Sequence, residues 1–338
     1  MDIQKKQILI GHGSGGKLSQ ELFQNLFSPH FSNPFLDETH DGAIFEINGV
    51  RLAMSTDSYV VNPVFFPGGN IGDLAVNGTV NDVSMCGAKP LYLSCGFILE
   101  EGFSMAELDA IVKSMRLAAD KAGVYLVTGD TKVVEKGKVD KVYINTSGIG
   151  VIEKDITISP KNAVNGDVII INGNIADHGI AIMSKREGLD FTTDIQSDSA
   201  ALNHMIAAVL DVSENIHVLR DPTRGGLSAT LNEIAEASQV GIYLQETCLP
   251  IHEQVKTASA LLGLDPLYIA NEGKSIIIVP EADAEKILAV MQSFEEGKHS
   301  VIIGNIQEKN SGKVILETEL GTKRIIDMPS AEQLPRIC

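Results

Sequence analysis

Three absences narrow the field before any motif is read. No stretch approaches the ~20 consecutive apolar residues that span a bilayer. The start, MDIQKKQILIGHGSGG, offers two lysines but only the short apolar run Ile8–Ile10, too little for a signal peptide. A cytoplasmic location and no membrane partner are therefore the expectation. Basic charge is also scarce: 27 Lys+Arg face 44 Asp+Glu, a net charge of −17. That argues against nucleic acid as the main partner, because phosphate backbones require a basic footprint. A small anion such as ATP stays admissible where a lysine, an arginine, backbone N–H groups or a metal ion relieve the charge locally. Finally, the four cysteines (Cys86, Cys95, Cys248 and Cys338) form no C-x-x-C pair and no zinc-type spacing. Cys86, Cys95 and Cys248 read as small buried hydrophobes.

What is present is globular: 338 residues, 44% hydrophobic and 21% charged, a length suggesting two domains. A glycine-rich leader (1–40) precedes two halves of mixed strand and helix, 41–157 and 158–327, and a tail, 328–338. AIFEI (43–47) and RLAMST (51–56) flank Asn48-Gly49, a strong hairpin signal. Helices are expected over 72–85 and 104–123. The second begins with Ser104 and Glu107 in capping-box spacing and stops at Gly123. Strands are expected at 91–99, 124–130 and 141–152, with a break near 159–167. The second half reads strand 167–173, helices 198–212 and 226–241, strand 275–280, helix 281–294, strand 300–306 and a final hairpin around Gly321. MPSAEQLPRIC has no apolar periodicity and two prolines, so an extended tail is expected. The similar halves suggest an ancient duplication.

The leader motif GHGSGGK, Gly11 to Lys17, satisfies the first seven places of a P-loop, but Leu18 stands where Ser or Thr should hold Mg²⁺. Three readings remain: a P-loop, a glycine-rich flap whose Gly13, Gly15 and Gly16 amides and Lys17 cover phosphates, or a plain terminus. Aspartates punctuate element ends: Asp41, Asp57, Asp82, Asp130 and Asp221. Each alone is an ordinary turn residue. Together they are what Mg²⁺ requires, since it bridges hard carboxylate oxygens to substrate phosphates. RDPTRGGL (220–227) reads as a turn feeding a helix whose N-terminus, at Arg224, Gly225 and Gly226, offers N–H groups to an anion. Lys132 in GDTK and Glu272 in ANEGK read either as surface charges or as a charge stabiliser and a proton acceptor. The chain ends P-R-I-C. Ten residues from Met328 reach at most ~35 Å, enough to swing a terminal thiol between sites. Cys338, as last residue, is chemically soft, and Arg336 stands close enough in sequence to offset the terminal carboxylate.

Taken together, HGSGGK, STDSYVV…GDLAVNGTVNDVSMCGAKPLYLS, VTGDTKVV, RDPTRGGL, ANEGK and the terminal PRIC resemble the HypE family of carbamoyl dehydratases of nickel–iron hydrogenase maturation. The resemblance covers essentially the whole chain. The VNDVSMCGA block marks the wider superfamily of aminoimidazole ribonucleotide synthetase, selenophosphate synthetase and thiamine-monophosphate kinase, and PRIC selects HypE within it. The resemblance implies a two-domain α/β (α+β) fold of the aminoimidazole ribonucleotide synthetase type, dimeric through the first sheet, with ATP held near the N-terminal domain. It implies that a carbamoyltransferase, HypF, loads the Cys338 sulfur. ATP-dependent dehydration then leaves a thiocyanate, and the cyanide passes to iron on a HypC–HypD complex. It further implies Mg²⁺ on Asp57, Asp82 and Asp221, with Asp41 and Asp130 as further candidates, and Lys132 and Glu272 for charge stabilisation and proton abstraction. Two rivals are a selenophosphate synthetase-like or small-molecule kinase activity, and a non-catalytic carrier whose tail cysteine binds iron or a partner thiol. The first would carry a reactive residue near the N-terminus, whereas no cysteine precedes Cys86. The second would leave the aspartates without a task.

Overall fold

The computed structural model describes residues 7–188, 195–330 and 337–338. The leader forms a 3-10 turn, Ile10–Gly13, then a helical segment of α1 (Lys17–Leu22), a π-helical turn Phe23–Phe27 and α2 (Ser28–Phe31). No strand leads into the glycines, which is not the setting of a P-loop among the described residues.

The first half carries β1 (Ala43–Ile47), β2 (Val50–Tyr59), a small hairpin β3 (Phe65–Phe66) and β4 (Gly69–Asn70), α3 (Ile71–Met85), β5 (Lys89–Glu100), α4 (Met105–Ala122), β6 (Tyr125–Val134) and β7 (Val142–Val151). Its sheet runs β1-β2-β7-β5-β6, with β5 and β6 parallel. Asn48 and Gly49 both take positive φ, 51° and 80°, the turn that a two-residue hairpin demands. One face of the sheet is covered by α3, which is buried along nearly its whole length. The other face is bare, exposing Met54, Tyr92 and Ile98 together with Tyr125 of β6.

The second half carries β8 (Asp167–Ile171), α5 (Asp177–Arg186), α6 (Asn203–Val212), β9 (Val218–Arg220), α7 (Gly226–Ser238), β10 (Gly241–Gln245), α8 (Glu253–Leu262), β11 (Ile276–Pro280), α9 (Glu281–Met291), β12 (Val301–Gln307), β13 (Lys313–Glu317) and β14 (Lys323–Ile326). The seven strands run β14-β13-β10-β12-β8-β11-β9. The isoleucine runs of β8 and β11 lie at the centre with both faces covered, which is why they show no alternation. No helix among the described residues is long and apolar enough to cross a membrane.

Several expectations shift. The strand expected at 124–130 continues to Val134, because β5 pairs with it in register to that point. The helix expected from 198 starts at Asn203, since Asp198 is committed to an ion pair with Lys274. The helix expected to 241 stops at Ser238, and Gly241 opens β10. Cys86 and Cys95 are buried, but Cys248 is half-exposed on a 3-10 turn, its thiol donating to Gln245 Oε1. Of the expected extended tail, residues 331–336, including Pro335 and Arg336, lie outside the described residues.

Candidate functional site

A cavity of about 350 Å³ lies where the leader, the first sheet and the segment after β9 meet. The leader contributes His12, Gly13, Gly15 and Ser19; Asp41 precedes β1; β2 contributes Thr56 and Asp57, and α3 contributes Asp82. Arg220, Asp221, Thr223 and Arg224 supply the opposite wall, backed by Glu233 of α7. Gly15 is required here: its φ is 78°, and a Cβ would sit 2.6 Å from the Arg224 carbonyl oxygen. A Cβ on Gly16 would run into the Pro329 carbonyl, which accepts a hydrogen bond from the Lys17 amide at 2.9 Å. The glycines thus bring the leader backbone down onto the Arg224 turn and the chain's last segment.

The electrostatics are those of crowded carboxylates. Arg220 reaches Asp41 at 2.5 Å and Glu233 at 2.8 Å. Arg224 reaches Asp57 at 3.4 Å and donates to the Gly13 carbonyl at 3.2 Å. Two guanidiniums do not balance the lining. Burial pushes Asp82 well above the usual carboxylate range, and Asp221, Asp57 and Asp41 push it further, opposed by a 2.6 Å hydrogen bond from Ser55. Asp221 is raised likewise by burial and Asp41, although Arg220 works the other way. Burial also raises Asp41 against Arg220. Asp41 Oδ2 and Asp221 Oδ2 are buried without hydrogen-bond partners. Among the described residues, no three acidic, histidine or cysteine side chains converge as a complete metal cage. Oxygen atoms lacking partners in an excess of negative charge nevertheless fit Mg²⁺, which takes only one or two carboxylates and draws its other ligands from phosphate and water.

The chain's end reaches this region. A terminal carboxylate oxygen of Cys338 accepts from the Val60 amide, just past β2, at 3.1 Å. Ile337 is buried in a core that the first half shares with α5 and α8, and Cys338 packs against the same core. Burial pushes the Cys338 thiol well above its usual range; Arg224 opposes this, while Glu272 and Asp57 add to it. Cys338 and Asp57 in turn hold Arg224 firmly protonated, against burial and with Glu272 assisting. Glu272 is 3% exposed, its Oε1 is without a partner, and burial raises it well above the usual range, with Asp221, Asp57 and Asp198 adding to the shift. Its backbone is pinned: its amide donates to Asp198 Oδ1 at 3.1 Å, and its carbonyl accepts from Asn81 at 3.3 Å. Asp198 itself is paired with Lys274 at 2.9 Å.

The structure therefore brings Gly13, Gly15, Asp41, Asp57, Asp82, Asp221 and Arg224 to one cavity, with Glu272 and Cys338 in electrostatic contact with it. Gly16 and Lys17 adjoin it, though the Lys17 side chain faces solvent. Gly225 and Gly226 open α7 with φ of 78° and 62°. Asp130 and Lys132 lie elsewhere: they form an exposed 2.6 Å ion pair on the edge strand β6. Asp130 stands opposite Gly96, and Asn145 separates Gly96 from Ser58, so about 14 Å of sheet divides Asp130 from the Asp57 strand. Arg220, Asp198 with Lys274, and His178 were not singled out from sequence. Arg220 and Lys274 stand inside the quoted RDPTRGGL and ANEGK blocks, where the signal was available; His178 in ADHGI gave none.

Residues 39–152 match the N-terminal domain of AIR synthase related proteins, and residues 164–317 match their C-terminal domain. The chain is 51% identical to the carbamoyl dehydratase HypE of Cupriavidus necator, over 100% of this chain and 97% of that one. It is similar to the crystal structure of a HypE–HypF complex (TM-score 0.87, 50% identity, 91% of this chain and 99% of that one). It is also similar to the hydrogenase maturation protein HypE crystallised with ATP (TM-score 0.83, 52% identity, 98% and 100%).

Proposed function

The chain belongs to the HypE family of carbamoyl dehydratases, and we propose that it converts an S-carbamoyl group on Cys338 to a thiocyanate at the expense of ATP, supplying the cyanide ligands of the nickel–iron hydrogenase iron centre. The observation that carries this reading is the docking of the chain's last residue against Glu272 and Arg224, at the edge of a carboxylate-lined cavity.

The chemistry follows from what these groups offer. The carbamoyl oxygen is a poor leaving group. Attack of that oxygen on the γ-phosphorus of ATP releases ADP and makes the oxygen a phosphate ester. Breaking the C–O bond then releases phosphate, and the nitrogen lone pair closes the C≡N bond. The carbamoyl nitrogen loses both protons along the way, one retained by the phosphate and one released, so the balance is S-carbamoyl plus ATP to thiocyanate, ADP, phosphate and a proton. The Glu272 carboxyl is in hydrogen-bond contact with the Cys338 thiol and its Oε1 has no partner, so it is placed as a proton acceptor must be. Arg224, held cationic, stabilises charge developing on the oxygen side. The leader amides around Gly13 and Gly15, the Gly16–Lys17 turn and the start of α7 at Gly225 and Gly226 lie where a triphosphate would meet donors. Mg²⁺ on Asp57, Asp82 and Asp221, with Asp41 held in reserve by Arg220, would neutralise the phosphates and relieve the crowding of the carboxylates.

A HypF-type carbamoyltransferase is the partner that loads Cys338, and a HypC–HypD iron complex is the proposed acceptor. The bare apolar face of the first sheet supports a homodimer. Asp130 and Lys132 lie on the edge strand of that sheet, so their proposed roles at the triphosphate depend on a second copy carrying them to the cavity. Four cysteines without a disulfide suit a reducing, cytoplasmic setting. The test is intact-protein mass spectrometry of the chain incubated with the transferase, carbamoyl phosphate and ATP, then re-purified and given Mg·ATP. Gain of one carbamoyl unit, absent in Cys338→Ala, followed by loss of one water, is expected. No gain with an active transferase would return the chain to a small-molecule kinase or synthetase.

A further inference from the structure

His178, in the first turn of α5, is completely buried, yet the reaction chemistry gives it nothing to do. Its Nε2 lies 2.6 Å from the Ile337 carbonyl oxygen and its Nδ1 lies 2.7 Å from Ser197 Oγ. A carbonyl oxygen only accepts, so Nε2 carries the hydrogen. In the neutral ring Nδ1 is then an acceptor, and it takes the Ser197 hydroxyl proton. Ser197 Oγ in turn accepts from the Ser199 amide at 3.1 Å, while the Ser197 amide donates to the Pro67 carbonyl at 2.8 Å. The ring is also held edge-on to Phe66, with centroids 5.6 Å apart. Burial lowers the His178 pKa, opposed by Asp198 and by the hydrogen bond to Ile337, in keeping with a neutral ring.

We propose that His178 is a latch for the reacting tail: a positioning residue whose buried Nε2–H captures the Ile337 carbonyl and so fixes how often the Cys338 sulfur rests beside Glu272. The proposal rests on the dehydratase reading, which it deepens. His178 touches no reacting atom. It grips the peptide oxygen one residue before the cysteine, while the Val60 amide grips a carboxylate oxygen of the cysteine itself and the Ile337 side chain fills an apolar slot. Two backbone clamps and one apolar anchor on consecutive residues leave the sulfur little freedom. The device is also reversible. With the tail withdrawn, the Nε2–H is a buried donor without an acceptor, an unfavourable state that the returning carbonyl relieves. Ser197 keeps the donor aimed, because it fixes both the tautomer and the ring angle.

The test uses the full-length chain with Cys248→Ser, so that reagent is not consumed at the half-exposed thiol. His178→Leu keeps apolar bulk and loses the donor; His178→Gln returns an N–H near the Nε2 position. The alkylation rate of Cys338 by iodoacetamide, followed by intact mass, reports the docked fraction. His178→Leu is expected to alkylate about tenfold faster than the parent, the worth of one buried hydrogen bond, and His178→Gln to stay within about threefold of it. Single-turnover dehydration of the carbamoylated chain follows the docked fraction, so it should slow in His178→Leu by less than that factor while docking still predominates, with Mg·ATP affinity and melting temperature unchanged. An unaltered alkylation rate in His178→Leu, or equal acceleration in both variants accompanied by lost thermal stability, overturns the latch and makes His178 an ordinary core residue. Alkylation does not depend on carbamoyl chemistry. A parent chain that carries a carbamoyl group and never loses water therefore refutes the dehydratase reading, while the latch is still decided by the alkylation rates.

Discussion

Replacing Asp82 with asparagine should stabilise the ligand-free chain and cripple it. Asp82 is buried, and Asp221, Asp57 and Asp41 all raise its pKa beyond the effect of burial itself. The substitution is nearly isosteric, and the new amide oxygen can still accept from the Ser55 hydroxyl, now 2.6 Å from Asp82 Oδ2. What it removes is one negative charge from a cluster in which five lining carboxylates face two guanidiniums. Relief of that crowding should make the ligand-free Asp82→Asn chain more stable than the parent near neutral pH. The sign can be checked against pH. A carboxyl group whose folded pKa is raised contributes stability that is complete below its unfolded value, about pH 4, and is lost as pH rises through the folded value. The advantage of Asp82→Asn should therefore vanish towards pH 4 and grow towards pH 7–8. In thermal unfolding this corresponds to a rise of about 2–4 °C per kcal/mol for a chain of this class. The same variant should lose most of the stabilisation that Mg·ATP gives the parent, about 2.7 kcal/mol at a hundredfold excess over Kd. It should also fail to dehydrate a carbamoylated Cys338. A variant that melts lower than the parent at pH 7.5, or one that dehydrates normally, would refute the argument that these carboxylates are held in electrostatic tension for a cation.

Other outcomes follow from the same site. Glu272→Gln should accept the carbamoyl group normally but dehydrate about 10²–10⁴-fold more slowly in single turnover, the usual worth of a positioned base; a rate within threefold of the parent would assign proton removal elsewhere. Ile337→Ala empties an apolar slot at the end of the chain. Its cost, about 2 kcal/mol or more for a core truncation, falls on docking rather than folding, so Cys338 should alkylate at least about 30-fold faster at an unchanged melting temperature. Tyr125→Asp places a charge on the bare sheet face and should give a monomer by light scattering. If Lys132 works across a dimer, that monomer and Lys132→Ala should both lose dehydration while keeping carbamoylation, whereas normal dehydration in Lys132→Ala leaves Lys132 to its surface ion pair with Asp130.

Much of the fold was legible because its signals are local. Asn48-Gly49 specifies a hairpin through backbone conformation alone, and Ser104 and Gly123 bound α4 as cap and stop. The central strands β8 and β11 announce themselves as short isoleucine runs. What failed was decided at a distance. Asp198–Ala200 looks like the start of a helix, but Asp198 is drawn off by Lys274, seventy-six positions along, and by the Glu272 amide. The gathering of Asp41, Asp57, Asp82 and Asp221 was legible as chemistry, since aspartates at element ends are where sheets deliver side chains to a shared edge. Arg224 was legible as an anion-facing residue at a helix start, whereas Arg220, which holds Asp41 and Glu233, was legible only as a letter in a motif. Asp130 and Lys132 share that aspartate pattern and yet point away from the cavity, because the strand order puts β6 at the far edge of the sheet. Sequence spacing does not reveal strand order.

The state of the Cys338 thiol bears on the order of events. A thiol attacks through its thiolate, and the docked site does the reverse of favouring it: burial, Glu272 and Asp57 keep the proton on sulfur, and Arg224 only partly offsets them. A site so arranged is poor for loading a carbamoyl group and suited to holding a neutral thioester-like group next to a base. Loading is therefore expected with the tail away from Glu272, where the thiol returns to its ordinary range, and dehydration with the tail seated. Once the sulfur carries a carbamoyl group, it no longer titrates, and the seated group stays neutral at any pH. The hydrogen bonds at Ile337 and Cys338 are unaffected by that modification, since both use backbone oxygens. The carboxylates thus discriminate against a thiolate alone: a neutral thiol and a carbamoylated sulfur can both be seated, and the backbone clamps need not recognise the carbamoyl group at all.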